Sequence, residues 1–581
     1  MVIKLKCLQR MKNRTRKFVM KNPIFSILLT SCISSLAFFI AYQSINKKSF
    51  LKIYKKSFVS MDMSERNKEQ FNTLKSISPV ASDVTNTISK LIKKTEENPH
   101  GTSDEKSDNE NEKEFKKQWF RVQKQRVDWK QILAPCANNT IVGQTPPGWG
   151  KENATSLKNS YVEYMDIRPA GQFSKFFIRT KTDDGRHKVI GGDFWKVILF
   201  GPAIVAATVF DHGNGSYEAV ALIADPGSYS LVAIVERTLC EGMLDPTPQF
   251  IARIMYRIKM KSAKKSDMGL EEGCCLSGRL PQIKIDVVPS KDNVVERIQA
   301  VLKVKCSVSC PFIWTGLGRF INGEWTPFLP SDNHDLQFLS KKTQTEDVIF
   351  FYGGSVTVQF AHDNLYLRKS YNVCDTVFKR CEIDYLQFYP MKSRLHPNSF
   401  TYYTYNELKK YGNTTKEFKP KIIIDSFEEV FRHSPGMDSP KSLFVLNLNV
   451  QLVRVITFAQ YKDLIGNVTY LLVNREKLFG SKARVVWRTS TALNYRGITH
   501  RGWGSKFLTS ARTQLFAAYA LSEMCKAGID VLEWYPESIA SPLGRDRVHF
   551  KRGTFYKAMD ALMWYSLPGT SPKTEKMCFV P

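Results

Sequence analysis

The amino-acid sequence predicts a multidomain protein with four parts in order: a transmembrane helix, a disordered stem, a β-sandwich and an α/β domain with a parallel sheet. Three observations support this prediction. An uncharged apolar segment lies near the N-terminus, short strand-like runs follow a polar stretch, and apolar runs alternate with amphipathic segments in the second half. The 581 residues allow more than one domain of about 100–200 residues.

The first 45 residues have the pattern of a signal anchor. Residues 1–23 contain eight basic residues and no acidic residue, and the 22 residues 24–45 are uncharged. As a helix, this segment would be about 33 Å long and would span a hydrocarbon core of about 30 Å, whereas a signal peptide has a shorter apolar core. We therefore expect a cytoplasmic tail (1–23) and a transmembrane signal anchor (24–45). The protein would be a single-pass type II membrane protein facing the Golgi or ER lumen.

Cysteines and glycosylation sequons agree with a lumenal body. Ten of the twelve cysteines follow residue 45, and an even number permits disulfides in an oxidising compartment without indicating their pairing. The histidines and cysteines show no spacing typical of a metal site, so no metal is expected. Sequons, which predict glycosylation, occur at Asn138, Asn153, Asn214, Asn413 and Asn467.

The formal net charge of +29 does not indicate a nucleic-acid-binding protein. Lys and Arg are scattered instead of forming one basic face with stacking aromatic residues, and eight of them belong to the tail. The expected anchor would also place the body of the chain in the lumen. We expect a solvated basic surface and no nucleic-acid partner, although such a surface could also attract anionic glycans or membranes.

Three composition ranges follow the anchor. Residues 46–155 begin with dense mixed charge and few apolar residues, which predicts a disordered stem with some helix. Residues 156–262 contain short alternating runs separated by turn residues such as Asp225-Pro226-Gly227-Ser228, which is typical of a β-sandwich. Residues 263–581 contain apolar runs between helical segments, which predicts a parallel sheet whose ligands bind at the carboxyl ends of the strands.

Two segments nearly 200 residues apart could form a catalytic site. The run 348–353 predicts a strand that ends at Gly353-Gly354-Ser355, followed by a helix whose N-terminus would favour an oxyanion. Asp546 and His549 lie in the loop before the last helix, with a spacing that lets the carboxylate reach the imidazole Nδ1. Ser355 would then be the nucleophile, His549 the base and Asp546 the group that orients it.

These motifs resemble a known family. The runs YGGSVTVQ (352–359) and DRVH (546–549) are similar to the first and last blocks of PC-esterase domains of the SGNH/GDSL hydrolase group. Upstream, the segments 191–195 and 209–217 resemble the immunoglobulin-like, filamin-type repeat of the neurexophilin and PC-esterase domain (NXPE) family. The resemblance covers nearly the whole chain. It implies an immunoglobulin-like sandwich followed by an SGNH-hydrolase-like α/β domain.

The chain departs from the family pattern at several positions. Gly354 replaces the aspartate of the family's Gly-Asp-Ser, and Val358 replaces the arginine before Gln359. The resemblance implies that a glycine N–H and an asparagine side chain bind the oxyanion. Here Asn447 could still donate, while Asn449 occupies the glycine position. Arg488 follows another strand and could either hold an acidic substrate group or form a surface ion pair.

The resemblance implies a lumenal enzyme for O-acyl chemistry on glycans. We expect an O-acetyltransferase or esterase that uses Ser355, Asp546 and His549, needs no cofactor, and uses an acyl donor such as acetyl-CoA if it is a transferase. The altered residues leave a second hypothesis open. The protein would then be a catalytically inactive module that binds glycans or a partner protein. Its oligomeric state cannot be predicted from these patterns.

Overall fold

The computed structural model describes most of the chain from residue 103 onwards. The described part forms one compact unit within residues 102–581. The described ranges are 103–142, 144, 146–246, 278–306, 308–329, 345–363, 373–385, 421–448, 450, 452–494, 507–542, 544–567 and 574–580.

The helices and strands of these ranges are numbered in chain order. The helices are α1 (Ser103–Gln125), α2 (Trp129–Leu133), α3 (Val294–Leu302), α4 (Ser355–His362), α5 (Val373–Thr376), α6 (Lys421–His433), α7 (Phe458–Phe479), α8 (Ser510–Lys526), α9 (Tyr535–Ala540) and α10 (Tyr556–Ser566). The first nine strands are β1 (Tyr161–Asp166), β2 (Gln172–Arg179), β3 (Phe194–Phe200), β4 (Ile204–Ala206), β5 (Thr208–Asp211), β6 (Ser216–Ile223), β7 (Gly227–Arg237), β8 (Gly278–Arg279) and β9 (Ile283–Val287). The remaining strands are β10 (Val308–Trp314), β11 (Gly318–Ile321), β12 (Glu324–Pro327), β13 (Thr345–Gly353), β14 (Phe378–Tyr385), β15 (Leu443–Leu446), β16 (Arg484–Arg488), β17 (Asp530–Leu532) and β18 (Glu575–Val580).

Two antiparallel sheets form a β-sandwich. One sheet has the order β1-β2-β6-β5, and the other has the order β12-β11-β4-β3-β7-β8, with β9 also paired to β7. Alternating apolar residues such as Phe176, Trp195 and Tyr217 fill the space between the sheets. The strands β11 and β12 come from a later part of the chain, and Phe320 of β11 pairs with Ile204 of β4. The sandwich is therefore completed by residues that follow the predicted sandwich range.

The second half of the chain builds a mixed α/β sheet. Its order is β14-β13-β15-β16-β17-β10-β18, in which neighbouring strands are parallel except for the antiparallel pair β10–β18. Alternate residues of β13 pack on opposite sides: Phe350 faces the core that contains α6, α7 and α8, and Phe351 faces the core that contains α4 and α10. Helices on both faces explain why these strands are almost continuously apolar.

The predicted fold class needs correction. Residues 103–125 of the expected disordered stem form the ordered helix α1, and the expected parallel sheet contains an antiparallel edge strand. Among the described residues, no helix is long and apolar enough to cross a membrane. The tail (1–23) and the predicted transmembrane helix (24–45) lie outside the described residues. The α/β and β-sandwich parts are present.

The helix α1 is ordered by aromatic residues on one face. They are hard to recognise in the sequence because charged residues dominate this segment. Phe115 and Trp119, four residues apart, are buried against Phe173 and Phe210 of the sandwich. Arg121 on the same helix forms a 2.6 Å ion pair with the buried carboxylate of Glu218. The apolar contacts supply the burial that the surrounding charged residues alone would not provide.

The described residues contain four disulfides, three of which link distant parts of the chain, and this confirms the disulfides that the cysteines after residue 45 were expected to permit. They include Cys310–Cys525, which joins β10 to α8, and Cys136–Cys240, which joins the α2 region to the end of the sandwich. Cys274 and Cys275 lie outside the described residues. All four pairs are Cys136–Cys240, Cys306–Cys578, Cys310–Cys525 and Cys374–Cys381.

Candidate active site

Ser355 lies where β13 turns into α4, at the carboxyl end of the parallel strands. It is the first residue of α4, and Gly354 is the N-cap residue. The turn needs a glycine at Gly353, where a Cβ would lie 2.9 Å from the carbonyl oxygen of Asn447. This close approach brings the end of β13 against the end of β15 and places the Ser355 hydroxyl at the edge of the sheet.

The second part of the site is a loop closed by the bridge between Gly544 and Phe550. Inside the loop, Asp546 accepts hydrogen bonds through Oδ1 from the backbone N–H groups of Val548 and His549, each at 2.8 Å. The backbone N–H of Arg545 in turn donates to the carbonyl of His549 at 2.8 Å. These local bonds fix the Asp546 carboxylate within hydrogen-bonding distance of His549 Nδ1.

Ser355, His549 and Asp546 form a continuous hydrogen-bonded chain. The Ser355 Oγ lies 2.7 Å from His549 Nε2, and His549 Nδ1 lies 2.8 Å from Asp546 Oδ2. The His549 side chain is 23% exposed and the Asp546 side chain is 49% exposed. The row of three hydrogen-bonded side chains is therefore most accessible to solvent at Asp546. Both distances are within the range expected of a nucleophile, a base and an orienting carboxylate.

The environment of Asp546 favours its charged form. Partial burial raises its pKa, but the N–H groups of His549 and Val548 and the His549 imidazole lower it further, so the net pKa is below its ordinary value. Asp546 is therefore ionised at neutral pH and can stabilise an imidazolium on His549. At the other end, the N-terminus of α4 carries the partial positive charge of the helix, and its N–H groups of Thr357 and Val358 donate to the carbonyl of Gly354 at 2.8 and 3.1 Å.

Gln359 fastens the two halves of the site to each other. Its side-chain amide, one turn after Ser355 on α4, donates a 2.9 Å hydrogen bond to the carbonyl of Phe550. Phe550 directly follows His549, and its ring is buried among the residues that pack α10 on the sheet. The glutamine therefore sets the distance between the serine helix and the histidine loop.

Of the two asparagines considered as oxyanion donors, the structure describes Asn447 but not Asn449. Asn447 is buried, and its amide nitrogen donates to the carbonyl of Arg488 at 2.8 Å and lies 3.3 Å from Ser490 Oγ. Because an amide nitrogen has two hydrogens, these contacts use its donors within the sheet edge. Asn449 lies outside the described residues. The N–H groups at the start of α4 are therefore the donors nearest to Ser355 in the chain.

Gly354 adopts a backbone conformation that does not require glycine. Its φ of −76° and ψ of −170° are extended, and as the N-cap it offers no side chain to the first turn of α4. An aspartate here would fit the backbone and could accept from the N–H of Val356 or Thr357. The backbone conformation therefore gives no reason for a glycine at this position.

Arg488 lies beneath the site and does not form a surface ion pair. It is 1% exposed, and its guanidinium donates to Thr357 Oγ1 at 2.6 Å and to the Thr489 carbonyl at 3.2 Å. The guanidinium also packs 4.5 Å from the centre of the Trp534 ring. Burial lowers the pKa of Arg488 to about 9. Its contact with Thr357 supports the first turn of α4, and its burial keeps it from reaching a substrate.

Glu533 and Glu537 place two further carboxyl groups beyond β17. Glu533 accepts from Thr489 Oγ1 at 2.8 Å and forms a 3.1 Å ion pair with Arg126. Glu537 is fully buried, and no ion pair to it occurs among the described residues. Burial raises the pKa of Glu537 well above its ordinary value, and the nearby indole N–H of Trp314 offsets this only in part. Burial therefore favours the neutral form of Glu537.

We expect Glu537→Gln to raise the melting temperature at pH 7.5 and to change it little at pH 4.5. With a folded-state pKa above the unfolded one, the folded state retains a proton that the unfolded state has lost. Unfolding then becomes easier as pH rises, by up to about 1.4 kcal/mol per pH unit within that window. The amide removes this dependence. Thermal unfolding measured from pH 4 to 8 checks the prediction, and equal shifts at both ends would contradict it.

The sequons differ in exposure. Asn138 and Asn214 are exposed, and Asn467 is on the exposed face of α7. Asn153 is half-buried and donates to the carbonyl of Gly148 at 2.9 Å. Asn413 lies outside the described residues.

A cavity of about 230 Å³ lies between the sandwich, α1 and the α/β domain, apart from the serine site. Aromatic residues such as Trp119 and Trp195 form much of its wall, and Glu533 lies at its border with the α/β domain. Ser355, Asp546 and His549 are not among its lining residues. The hydrogen bonds between Ser355, His549 and Asp546 therefore lie outside this cavity.

Comparison with known proteins adds no assignment. No family model matches the chain, and no curated protein is significantly similar to it. Within the part of the chain that the structure describes, no group of three or more His, Cys, Asp or Glu side chains could hold a metal ion. The functional argument therefore rests on the geometry of the site and on the motifs in the sequence.

Proposed function

We propose that this protein transfers or hydrolyses O-acyl groups, acetyl groups in particular, on glycans through an acyl-enzyme intermediate on Ser355. The observation that supports this most directly is the hydrogen-bonded chain from Ser355 Oγ through His549 to Asp546. The serine and the histidine are 194 residues apart in sequence, and each lies at a turn that aims its side chain at the same edge of the sheet.

The residues suggest a two-step reaction. Ser355 Oγ attacks the acyl carbonyl while His549 Nε2 accepts the hydroxyl proton, and the histidine then gives that proton to the leaving group. In the second step, water or a sugar hydroxyl loses a proton to His549 and attacks the ester on Ser355. The acyl group moves to that oxygen, and the proton returns to Ser355. Asp546 remains ionised and stabilises the imidazolium throughout.

The oxyanion would be stabilised by the N-terminal turn of α4. The acyl carbonyl becomes anionic while attached to Ser355, and the first N–H groups of α4 are close in the chain to that oxygen. The amide of Asn447 is held by Arg488 and Ser490, so it contributes only if it exchanges partners. Loss of one oxyanion donor typically lowers the rate by about 10²–10³-fold, which predicts a slow enzyme.

The substrate class is proposed from the resemblance to NXPE-type PC-esterase domains, which act in the lumen on sugar hydroxyls. A sandwich followed by an α/β domain agrees with that arrangement. The four disulfides favour a protein that matures in an oxidising compartment such as the ER and Golgi lumen. An acyl donor such as acetyl-CoA would be a second substrate if the protein is a transferase.

A second proposal is a binding module that has lost its chemistry. The specific observation in its favour is the combination of an uncapped Gly354 with an Asn447 amide whose donors are already used. In this case the carboxyl edge of the sheet would bind an acylated glycan without cleaving it.

The proposed function is tested with the full-length protein and a fluorophosphonate probe, which phosphonylates activated serines. Peptide mapping should find the probe on Ser355, and the protein should hydrolyse a generic acetyl ester and an O-acetylated sugar. Absence of both labelling and hydrolysis, together with measurable binding of the sugar, would favour the binding module.

We expect Gly354→Asp to increase the rate of acetyl-ester hydrolysis and to raise the melting temperature slightly. An aspartate at this N-cap would order the first turn of α4. Such a cap stabilises a protein by about 0.5–2 kcal/mol relative to alanine, but by only about a few tenths of a kcal/mol relative to glycine. A better-ordered turn holds Ser355 and the oxyanion donors in place. Gly354→Ala is the matched control, because it removes the glycine without adding an acceptor. Equal activity of the two variants would show that the missing carboxylate does not limit the site.

A further inference from the structure

The β-sandwich contacts the loop that carries His549. The Arg547 side chain, between Asp546 and His549, forms a 2.5 Å hydrogen-bonded ion pair with Glu236 on β7 of the sandwich. The Arg547 side chain is 14% exposed and that of Glu236 is 2% exposed, so this pair is largely shielded from water. The two residues are 311 positions apart in sequence.

Glu236 collects contacts from several loops at the carboxyl edge of the α/β sheet. Its other carboxylate oxygen accepts from the backbone N–H of Ser510 at the start of α8, at 3.2 Å. Lys196 on the neighbouring strand β3 donates to the carbonyl of Leu493, at 2.7 Å, in the loop after β16. The next residue, Asn494, donates its backbone N–H to the carbonyl of Arg547 at 2.8 Å. The sandwich therefore joins the histidine loop to two neighbouring segments.

The charges in this cluster favour an ionised Glu236. Burial raises the pKa of Glu236, but Lys196 and Arg547 lower it more, so that its net pKa is below the ordinary value. Burial lowers the pKa of Lys196 to about 8, although Glu236 acts in the opposite direction. Removing Glu236 would leave two buried cations together, whereas removing Arg547 leaves Glu236 with Lys196. Arg547 is thus the position at which the loop can be released with less damage to the core.

We propose that Arg547 is a positioning residue and that Glu236 of the sandwich, through it, holds His549 at hydrogen-bonding distance from Ser355. The inference rests on the proposed function of Ser355 as a nucleophile. It makes the sandwich a part of the active centre. Displacement of a catalytic group by about 1 Å can lower a rate by about 10²-fold, so a single buried ion pair on this loop can have a large kinetic effect.

The test uses the full-length protein and its Arg547→Gln, Arg547→Lys and Asp225→Asn variants. Asp225 is the matched control, since it accepts a bidentate hydrogen-bonded pair from Arg319 within the sandwich, at 2.9 and 3.1 Å, away from the histidine loop. We measure the rate at which a fluorophosphonate labels Ser355 and the hydrogen exchange of the backbone amides of residues 544–550.

We expect Arg547→Gln to slow labelling about tenfold or more and to accelerate exchange of the His549 amide. Arg547→Lys, which keeps a cation for Glu236, should recover labelling to within about threefold of the wild type, and Asp225→Asn should label normally. Wild-type labelling in Arg547→Gln, or equal slowing in Arg547→Gln and Asp225→Asn, would overturn the proposal.

The exchange measurement separates this proposal from the proposed function. If wild-type Ser355 is not labelled at all, the nucleophile assignment fails, but the exchange of residues 544–550 still answers the positioning question. Faster exchange in Arg547→Gln than in Asp225→Asn would then support the role of the sandwich in ordering the loop. Unchanged exchange would overturn it.

Discussion

Replacement of Ser355 by alanine is expected to abolish acetyl-ester hydrolysis and acyl transfer while leaving the protein folded. The change removes the only oxygen that can form the acyl-enzyme, so the rate should fall by about 10⁴-fold or more. Ser355 is half-buried at the first position of α4, and its Oγ bonds to His549. The free energy of unfolding should therefore change by no more than about 1 kcal/mol, as for an ordinary small substitution.

The measurement combines hydrolysis of a generic acetyl ester, fluorophosphonate labelling and thermal unfolding. Ser434→Ala is a suitable control, because Ser434 is buried after α6 and its hydroxyl has no hydrogen-bond partner within the described structure. The control should retain full activity. An active wild type with an equally active Ser355→Ala variant would contradict the serine mechanism, since the hydrolysis would then arise elsewhere.

The two segments that meet at Ser355 and His549 could be recognised in the sequence because each of them is encoded locally. The apolar run of β13 followed by Gly353-Gly354-Ser355 indicates a strand–turn–helix unit, and Asp546 and His549 are close enough in sequence to form their own loop. Their meeting follows from the general rule that parallel strands present functional residues at their carboxyl ends. The residue types and their positions at strand and loop ends are therefore visible in the sequence. The 2.7 Å contact between Ser355 Oγ and His549 Nε2 depends on how the whole domain folds.

Other features depend on long-range packing, which composition does not reveal. The charge around α1 suggested disorder, but its stripe of Phe115 and Trp119 becomes buried only when the sandwich is present. Likewise, nothing local indicates that β11 pairs with β4 or that Cys310 pairs with Cys525. A local sequence pattern shows which apolar side chains a helix or strand can bury. Which other helix or strand they pack against is determined by the rest of the fold.

The surroundings of the triad were the hardest part to predict. Arg488 follows a strand, as a ligand-binding arginine would, yet it is buried against Thr357 and Trp534. Gln359 and Arg547 lie within the two motifs, but their partners are Phe550 and a sandwich glutamate that is 311 residues away from Arg547. A side chain that positions a catalytic group can be of almost any polar type, because what matters is the atom it can reach. Such residues therefore cannot be recognised by residue type, as a nucleophile or a base can.

Replacement of Asp546 by asparagine is expected to reduce activity by about 10³–10⁴-fold without unfolding the loop. The side-chain oxygen of the asparagine would be held where Oδ1 now accepts from the N–H groups of Val548 and His549. Its NH₂ group would then face His549 Nδ1, which must act as an acceptor. The imidazole proton would move to Nε2, and that nitrogen could no longer accept the proton of Ser355.

The Asp546→Asn prediction is checked by the rate of Ser355 labelling between pH 5 and 9, with exposed Asp438→Asn as the control. Because the pKa of Asp546 is lowered, the wild-type carboxylate stays ionised throughout this range, so its titration cannot cause a fall in the wild-type rate. The variant should label slowly at every pH in this range, because its imidazole proton is on His549 Nε2 and that nitrogen cannot accept the Ser355 proton. A rate within about tenfold of wild type would show that Asp546 only supports the loop, since loss of the correct tautomer has a much larger effect.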